Sequence, residues 1–331
     1  LLTDKEQGVL SSLKDIDAVG HRLAHGGEYF FESCAITDDV IEKIEKCCEL
    51  APLHNPANLL GIRAVQAVLP DMPQVAVFDT SFHQTMPDYA YMYAIPYEYY
   101  EKYRIRRYGF HGTSHKYVAA KACKLYGVDL NHSRIITCHL GNGSSITAIK
   151  DGKSVDTSMG FTPLEGVMMG TRSGSVDAGI IFFLQHKEGL DGKAVSSILN
   201  KKSGLLGLSG YSSDNRDILA GVDRKDPRAM LTTNKLCYDI RKYIGAYAAA
   251  LGGVDMIVFT GGIGENASRT RAQVCQGLEY LGMTFDAEAN KVSGEDVMIS
   301  TPDSKVKVVA VTTNEELVIA TDTMNIVKKQ K

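Results

Sequence analysis

"RIITCHLGNGSSITAIKDGKSVDT", residues 134–157, sets three β-rich runs between two glycine turns. Residues 134–140 and 144–150 carry isoleucine and threonine at high density, with "GNG" and then "DGK" as the breaks. That order predicts an antiparallel meander whose first hairpin is rich in glycine. Short apolar runs at 74–79, 255–260 and 305–311 read as further buried strands. Helical patterns lie among them. Leu236, Ile240, Tyr243, Ile244, Tyr247 and Leu251 recur at helical spacing, with Pro227 in the first turn and Gly252-Gly253 as the stop. Thr313-x-x-Glu316 predicts a capping box, and Leu317, Ala320, Met324 and Val327 trace one face of a terminal helix. Strands and helices mixed in this way indicate an α/β protein.

The 331 residues are enough for about two domains, and 44% hydrophobic with 23% charged residues is ordinary for a globular chain. A net charge of −3 supplies no basic footprint for nucleic acid and no polybasic stretch for a membrane surface. No apolar run reaches the length of a membrane span. The seven cysteines (34, 47, 48, 123, 138, 237, 275) are odd in number, form no C-x-x-C pair and sit in apolar segments, which suits reduced thiols in a cytoplasmic protein. The chain opens on Leu1 rather than Met, so residues are expected upstream.

Several polar stretches are unlike core. "YGFHGTSHKY" (108–117) places His111 and His115 four apart, a zinc-ligand spacing on a helix. The Glu of H-E-x-x-H is missing, however, and Gly112 argues against one helix running through both histidines. A helix that begins after Gly112, capped by Thr113 or Ser114, leaves His111 at its entrance and His115 in its first turn as scaffold. "GHRLAHGGEYF" (20–30) holds Arg22 and His25, "APLHNPANLLGI" (51–62) holds His54, and "TPLEGVMMGTRSGS" (162–175) holds Arg172. "FTGGIGEN" (259–266) reads as a strand, a glycine turn and a helix starting near Ala267. Each stretch alone has a bland reading: a tight connection, a surface ion pair or a hydrogen-bonded scaffold histidine. Together, two arginines, several histidines and three glycine-rich loops fit an anion carrying phosphate.

These motifs, in this order, resemble the acetate kinase family of the sugar kinase/Hsp70/actin superfamily. "GHRLAHGGE", "APLHNPANLLGI", "VFDTSFHQTMP", "RRYGFHGTSHKYV", "HLGNGSSI", "DTSMGFTPLEGVMMGTRSG", "GLSGYSSDNRDI", "FTGGIGEN" and "TNEELVIA" carry the resemblance along almost the whole chain. It implies a two-domain actin-like ATPase (ribonuclease H-like) α/β fold, with ATP and substrate in the cleft between the domains. The first domain is expected at 1–81 plus 316–331 and the second at 82–315. The implied reaction is reversible transfer of the γ-phosphoryl group of ATP to acetate, with Mg²⁺. Homodimerisation through the second domain is also implied.

Carried over by position, Asp79, His111 and Arg172 become catalytic, with His111 stabilising the transition state. Arg22, Ala24, Leu53, His54, Phe110 and Pro163 become the substrate set. The nucleotide set is His139, Leu140, Gly141, Asn142 and Gly143; Asp214, Asn215 and Arg216; and Gly262, Ile263, Gly264, Glu265 and Asn266. Glu315 helps place Mg²⁺. A carboxylate substrate is ionised at neutral pH and needs no general base, so Asp79 is expected to orient Arg22, Arg172 or hydrated Mg²⁺.

The departures are as specific. No N-x-G-S-S-S-type phosphate loop precedes Leu1, so the first domain is expected to lack its opening strands and part of the site. Ser175 and Thr321 replace a usual Asp and Arg. Ala24 stands where acetate kinases usually carry Val, leaving room for a methylene. The alternatives are therefore a propionate or short-chain acid kinase, or a nucleotide-binding remnant without catalysis.

Overall fold

A computed structural model describes residues 10 and 12–330. The start of the first expected domain lies outside the described residues. One compact unit takes the chain up to Phe82 and again from Asn314, and the other is His83–Thr313. Glu315 therefore belongs with the first unit, whereas the sequence boundary sets it in the second.

The first unit is built on strands β1 (Val19–Leu23), β2 (Cys34–Ala35) and β3 (Gln74–Phe78), in the order β1-β3-β2. β1 runs parallel to β3, and β2 is antiparallel to it. β3 is buried at every residue and divides its side chains by alternation. Ala76 and Phe78 join Leu23 of β1, Val40 and Ile44 of the helix Asp38–Lys46, and Leu59 and Ile62 of the helix Asn55–Val68. Val75 and Val77 instead meet Val327 and Ile319 of the C-terminal helix, Glu315–Gln330. That helix lies against β1 at Gly20, where a Cβ would come within 2.4 Å of Thr323 Oγ1.

The terminal helix corrects two expectations. Its buried side carries Ile319, Thr323, Ile326 and Val327, while Leu317, Ala320 and Met324 are exposed. The capping box is absent, because Asn314 Oδ1 accepts from Leu317 N–H at its start and Thr313 is engaged elsewhere.

The second unit is built on a six-stranded sheet of β4 (Arg134–Leu140), β5 (Ser144–Lys150), β6 (Lys153–Thr157), β7 (Met256–Thr260), β8 (Val297–Met298) and β9 (Lys307–Ala310). Its order is β6-β5-β4-β7-β9-β8, with β4, β7 and β9 parallel and β5, β6 and β8 antiparallel to their neighbours. The meander forms as its glycine breaks predict. The long helix Pro227–Leu251 packs Leu236, Ile240, Ile244, Tyr247 and Leu251 into the main core. Asp226 caps it, Pro227 opens it, and Gly252 at φ 70° ends it in the left-handed conformation.

Candidate active site

In the first unit the site forms where the parallel strands β1 and β3 end, the usual place for ligands in open α/β sheets. Arg22 is the fourth residue of β1, and Asp79 follows the last residue of β3. Asp79 N–H donates to Leu23 O, which fixes the carboxylate beside the arginine. Arg22 Nε donates to Asp79 Oδ1 at 3.0 Å and Nη2 to Oδ2 at 2.7 Å, a bidentate pair. Asp79 is buried while half of the Arg22 side chain is exposed. Burial pushes the Asp79 carboxyl above its ordinary value, and Arg22, then His54, pull against that shift. Asp79 thus orients Arg22.

Glu315 lies in the same electrostatic neighbourhood. Burial raises its carboxyl, Arg22 lowers it and Asp79 raises it again. Its Oε1 is buried with no hydrogen-bond partner. Among the described residues no group of three His, Cys, Asp or Glu side chains is set to cage a metal. One or two carboxylates without a cage suit Mg²⁺, which keeps its waters and binds chiefly through substrate phosphates.

The loop Ala24–Gly27 is pinned by Asn55, Asn58 and Thr80. Asn55, fully buried, accepts from His25 N–H and donates to His25 O. Asn58 Oδ1 accepts from Ala24 N–H, and Thr80 Oγ1 from Gly26 N–H. The signal was in view, since both asparagines flank Pro56 and Leu59 in a helix that otherwise reads as apolar. Leu53 is 74% exposed, so it packs no wall against Ala24 within this unit. His54 occupies the N-cap of the helix Asn55–Val68 without making a side-chain cap bond.

In the second unit the hairpin tip between β4 and β5 is the centre. A Cβ on Gly143 would sit 3.1 Å from Arg172 Nη2 and 3.3 Å from His111 Nε2, so the tip brings a guanidinium and an imidazole to one point. His111 is the N-cap of the helix Gly112–Tyr126 and has φ 56°, a conformation non-glycine residues rarely adopt. This corrects the expected cap: Thr113 and Ser114 lie inside the helix and are buried. Ser114 Oγ instead contacts His139 Nδ1 at 2.8 Å and Thr313 Oγ1 at 2.9 Å. The rings of His111 and His139 stack at 4.3 Å. Because the helix starts at Gly112, His115 points into the core, fully buried, and no helical zinc pair forms.

Arg172 Nη1 donates to Pro163 O at 2.6 Å, and burial lowers the pKa of its guanidinium. Phe110 is buried with Met159 and Met169, and its carbonyl lies 2.9 Å from His83 Nε2. Ser175 Oγ accepts from Gly166 N–H and closes that turn. Thr321 is exposed on the terminal helix, and nothing in the structure explains it.

A cavity of about 790 Å³ brings together Gly141, Asn142, Asp214, Asn215, Arg216, Gly262, Ile263 and Asn266. Asp214 caps the helix Asn215–Asp223 and binds Arg216 through both carboxylate oxygens. Asn215 is 6% exposed, and its Oδ1 has no partner, an acceptor left for a ligand donor.

The other nucleotide residues do not line this cavity. Leu140 is core, and Gly264 packs against Phe259 and Cys138. Glu265 turns inward, where Oε1 accepts from Gly261 N–H and Thr313 N–H. The helix expected near Ala267 is Ser268–Cys275, with Ala267 at its N-cap, and "GGIGEN" before it is itself a short helix, Gly261–Asn266, where a turn was expected. Gly261 makes this possible, because at φ 74° a Cβ would press to 2.8 Å from Leu140 O. Arg271, also overlooked, is fully buried and holds the carbonyls of Gly264 and Glu265.

Residues 1–321 match the model of the acetokinase family. The chain is 60% identical to an acetate kinase of Phocaeicola vulgatus over 99% of its own length and 82% of the relative's. Among solved structures, Porphyromonas gingivalis acetate kinase matches with a TM-score of 0.96 and 54% identity, over 98% of this chain and 82% of that one. A propionate kinase from Francisella tularensis matches with a TM-score of 0.90 and 46% identity, over 95% and 80%.

Proposed function

The chain belongs to the acetokinase family, kinases of the two-domain actin-like fold, and from that premise we propose that it transfers the γ-phosphoryl group of ATP to acetate. The observation that carries the reading is the convergence of Arg172 Nη2 and His111 Nε2 on Gly143 at the hairpin tip. Phosphoryl transfer needs in-line positioning and donors around the equatorial oxygens, with little covalent chemistry from the protein. Arg172 and His111 supply those donors. The cavity at 214–216 and 262–266 holds the nucleoside, and Asn215 Oδ1 takes a donor from it.

Arg22, fixed by Asp79, binds the acetate carboxylate. One acetate oxygen attacks the γ-phosphorus, the bond to the β,γ-bridging oxygen breaks, and ADP leaves with the electron pair. No proton moves, because the carboxylate is ionised at neutral pH. Glu315, with Asp79 beside it, would hold hydrated Mg²⁺, which neutralises phosphate charge when bound. Hydroxylamine trapping of acyl phosphate from ATP and acetate tests the assignment, and no trapped product would sink it. A match along 99% of the chain gives the non-catalytic remnant no support.

Ala24 favours propionate as a second acceptor, since its side chain is shorter than the family's usual Val by two methyl groups.

The second unit also carries a surface that suits a homodimer. In the helix Ala178–Glu188 no residue is buried, although Phe182 is 69% and Phe183 60% exposed. An apolar helix left open in this way calls for a covering partner, and a second copy is the partner the family resemblance implies. Sedimentation of Phe182→Asp, expected to be monomeric, tests this. All seven cysteines are free thiols, which fits the reducing cytoplasm. No described helix is long and apolar enough to cross a membrane.

A further inference from the structure

Behind His111 runs a line of buried polar side chains that the reaction does not touch. His111 Nδ1 lies 2.8 Å from Ser145 Oγ, and the same oxygen lies 2.7 Å from His115 Nε2. His115 Nδ1 lies 2.7 Å from Thr137 Oγ1. Ser145, His115 and Thr137 are fully buried, on β5, the helix Gly112–Tyr126 and β4 respectively. Resting on the role given to His111 above, we propose that Thr137, His115 and Ser145 are positioning residues that fix which ring nitrogen of His111 carries its proton.

The argument is one of counting hydrogens. Burial, with His83 and His139 nearby, keeps the pKa of His115 well below its ordinary value, so its ring is neutral and has one N–H. The buried Ser145 hydroxyl has one hydrogen, and among the described residues the two imidazoles are its hydrogen-bond partners, so it donates to one ring and accepts from the other. If Thr137 donates to His115 Nδ1, then His115 Nε2–H donates to Ser145. Ser145 in turn donates to His111 Nδ1, and a neutral His111 must carry its proton on Nε2.

That nitrogen is the one beside Gly143. Reversing the line would put the His111 proton on Nδ1 and leave Nε2 an acceptor, unable to donate to a phosphoryl oxygen. A phosphate oxygen beside Nε2 selects the productive direction, because it accepts from Nε2–H and is repelled by a bare ring nitrogen.

Long-range ¹H–¹⁵N correlation spectra of histidine-labelled protein carrying a non-hydrolysable ATP analogue test the relay, with His111→Ala used to assign the resonances. The wild-type chain should show His111 as the single Nε2–H tautomer, and Ser145→Ala should show a mixture. The same variant should lose about tenfold in kcat, the size of one net hydrogen bond, with the KM for ATP little changed. Ser145→Thr, which keeps the hydroxyl, should restore both. An unchanged His111 tautomer in Ser145→Ala overturns the relay, as does a folded Ser145→Thr that stays mixed. A chain that shows the tautomer change but traps no acyl phosphate supports the relay while removing the reaction assigned to it.

Discussion

Arg22 meets a carboxylate, whereas Arg172 bonds a backbone carbonyl. In the first unit the Asp79 carboxylate balances the guanidinium and raises its pKa, and half of the side chain stays in water. In the second, burial lowers the pKa of Arg172, and among the described residues no carboxylate pairs with it. The histidines around Gly143 bond to hydroxyls, His111 to Ser145 and His139 to Ser114. One unit is therefore preset by ion pairing. The other keeps a partly desolvated cation beside histidines and hydroxyls, where an arriving anion gains most.

The most direct way to break this contrast is Arg172→Ala. Its kcat should fall about 10³-fold, as when a transition-state donor is removed, with little change in ATP affinity. Steady-state kinetics beside ATP calorimetry would check it, and a pure affinity loss would contradict the role.

Acid should sharpen the contrast next. The pKa of His83, fully buried against Phe110 O and Ser154 Oγ, is pushed down to about 4 from 6.5. The unfolded chain then takes up the proton first, so this stability is complete above pH 6.5 and is lost as pH falls towards 4. About 3 kcal/mol is at stake. Calorimetric Tm against pH should therefore fall more steeply in the wild-type chain than in His83→Gln.

Asp79→Asn tests the preset side. It removes one of the two carboxylate oxygens that hold Arg22, and misplacement of this kind costs about 10²-fold in kcat. Raising the pH should not restore it, because the carboxylate acceptor has no proton to give up; recovery at high pH would make Asp79 a base. The smallest expected change is in selectivity. Ala24→Val should lower the propionate-to-acetate ratio of kcat/KM by about tenfold, within the range one methylene can contribute.

Where contacts are local, the sequence was readable. The strands Arg134–Leu140 and Ser144–Lys150 have the limits their glycine breaks imply, and Pro227 and Gly252 bound the long helix. The residues that line the cavity were named through the family resemblance, from the stretches "HLGNGSSI", "GLSGYSSDNRDI" and "FTGGIGEN". What escaped depends on partners distant in the chain. The Thr313 cap fails because Ser114, 199 residues away in sequence, contacts its hydroxyl, and Glu265 accepts its N–H. Thr137 looked like an ordinary strand residue and Ser145 like a donor of the glycine-rich hairpin, because nothing in β4 or β5 announces that a histidine from a helix will point between them. The face of the terminal helix was misjudged for a related reason. Leu317 and Met324 match the helical period, but the flat contact at Gly20 selects Ile319 and Thr323.

The route of the chain through the first unit has a consequence for its birth on the ribosome. The strands β1 and β3 are made before the second unit, yet the side chains that cover Val75 and Val77 come from the helix Glu315–Gln330, made after it. Gly20 and Ser33 likewise wait for Thr323 and Asp322. During synthesis one face of the first sheet stays open while more than 200 residues of the second unit (His83–Thr313) are added. The second unit holds both edges of its own sheet in one continuous stretch, so it can close first. The unit whose strands β1 and β3 are made before the second unit is thus finished after it.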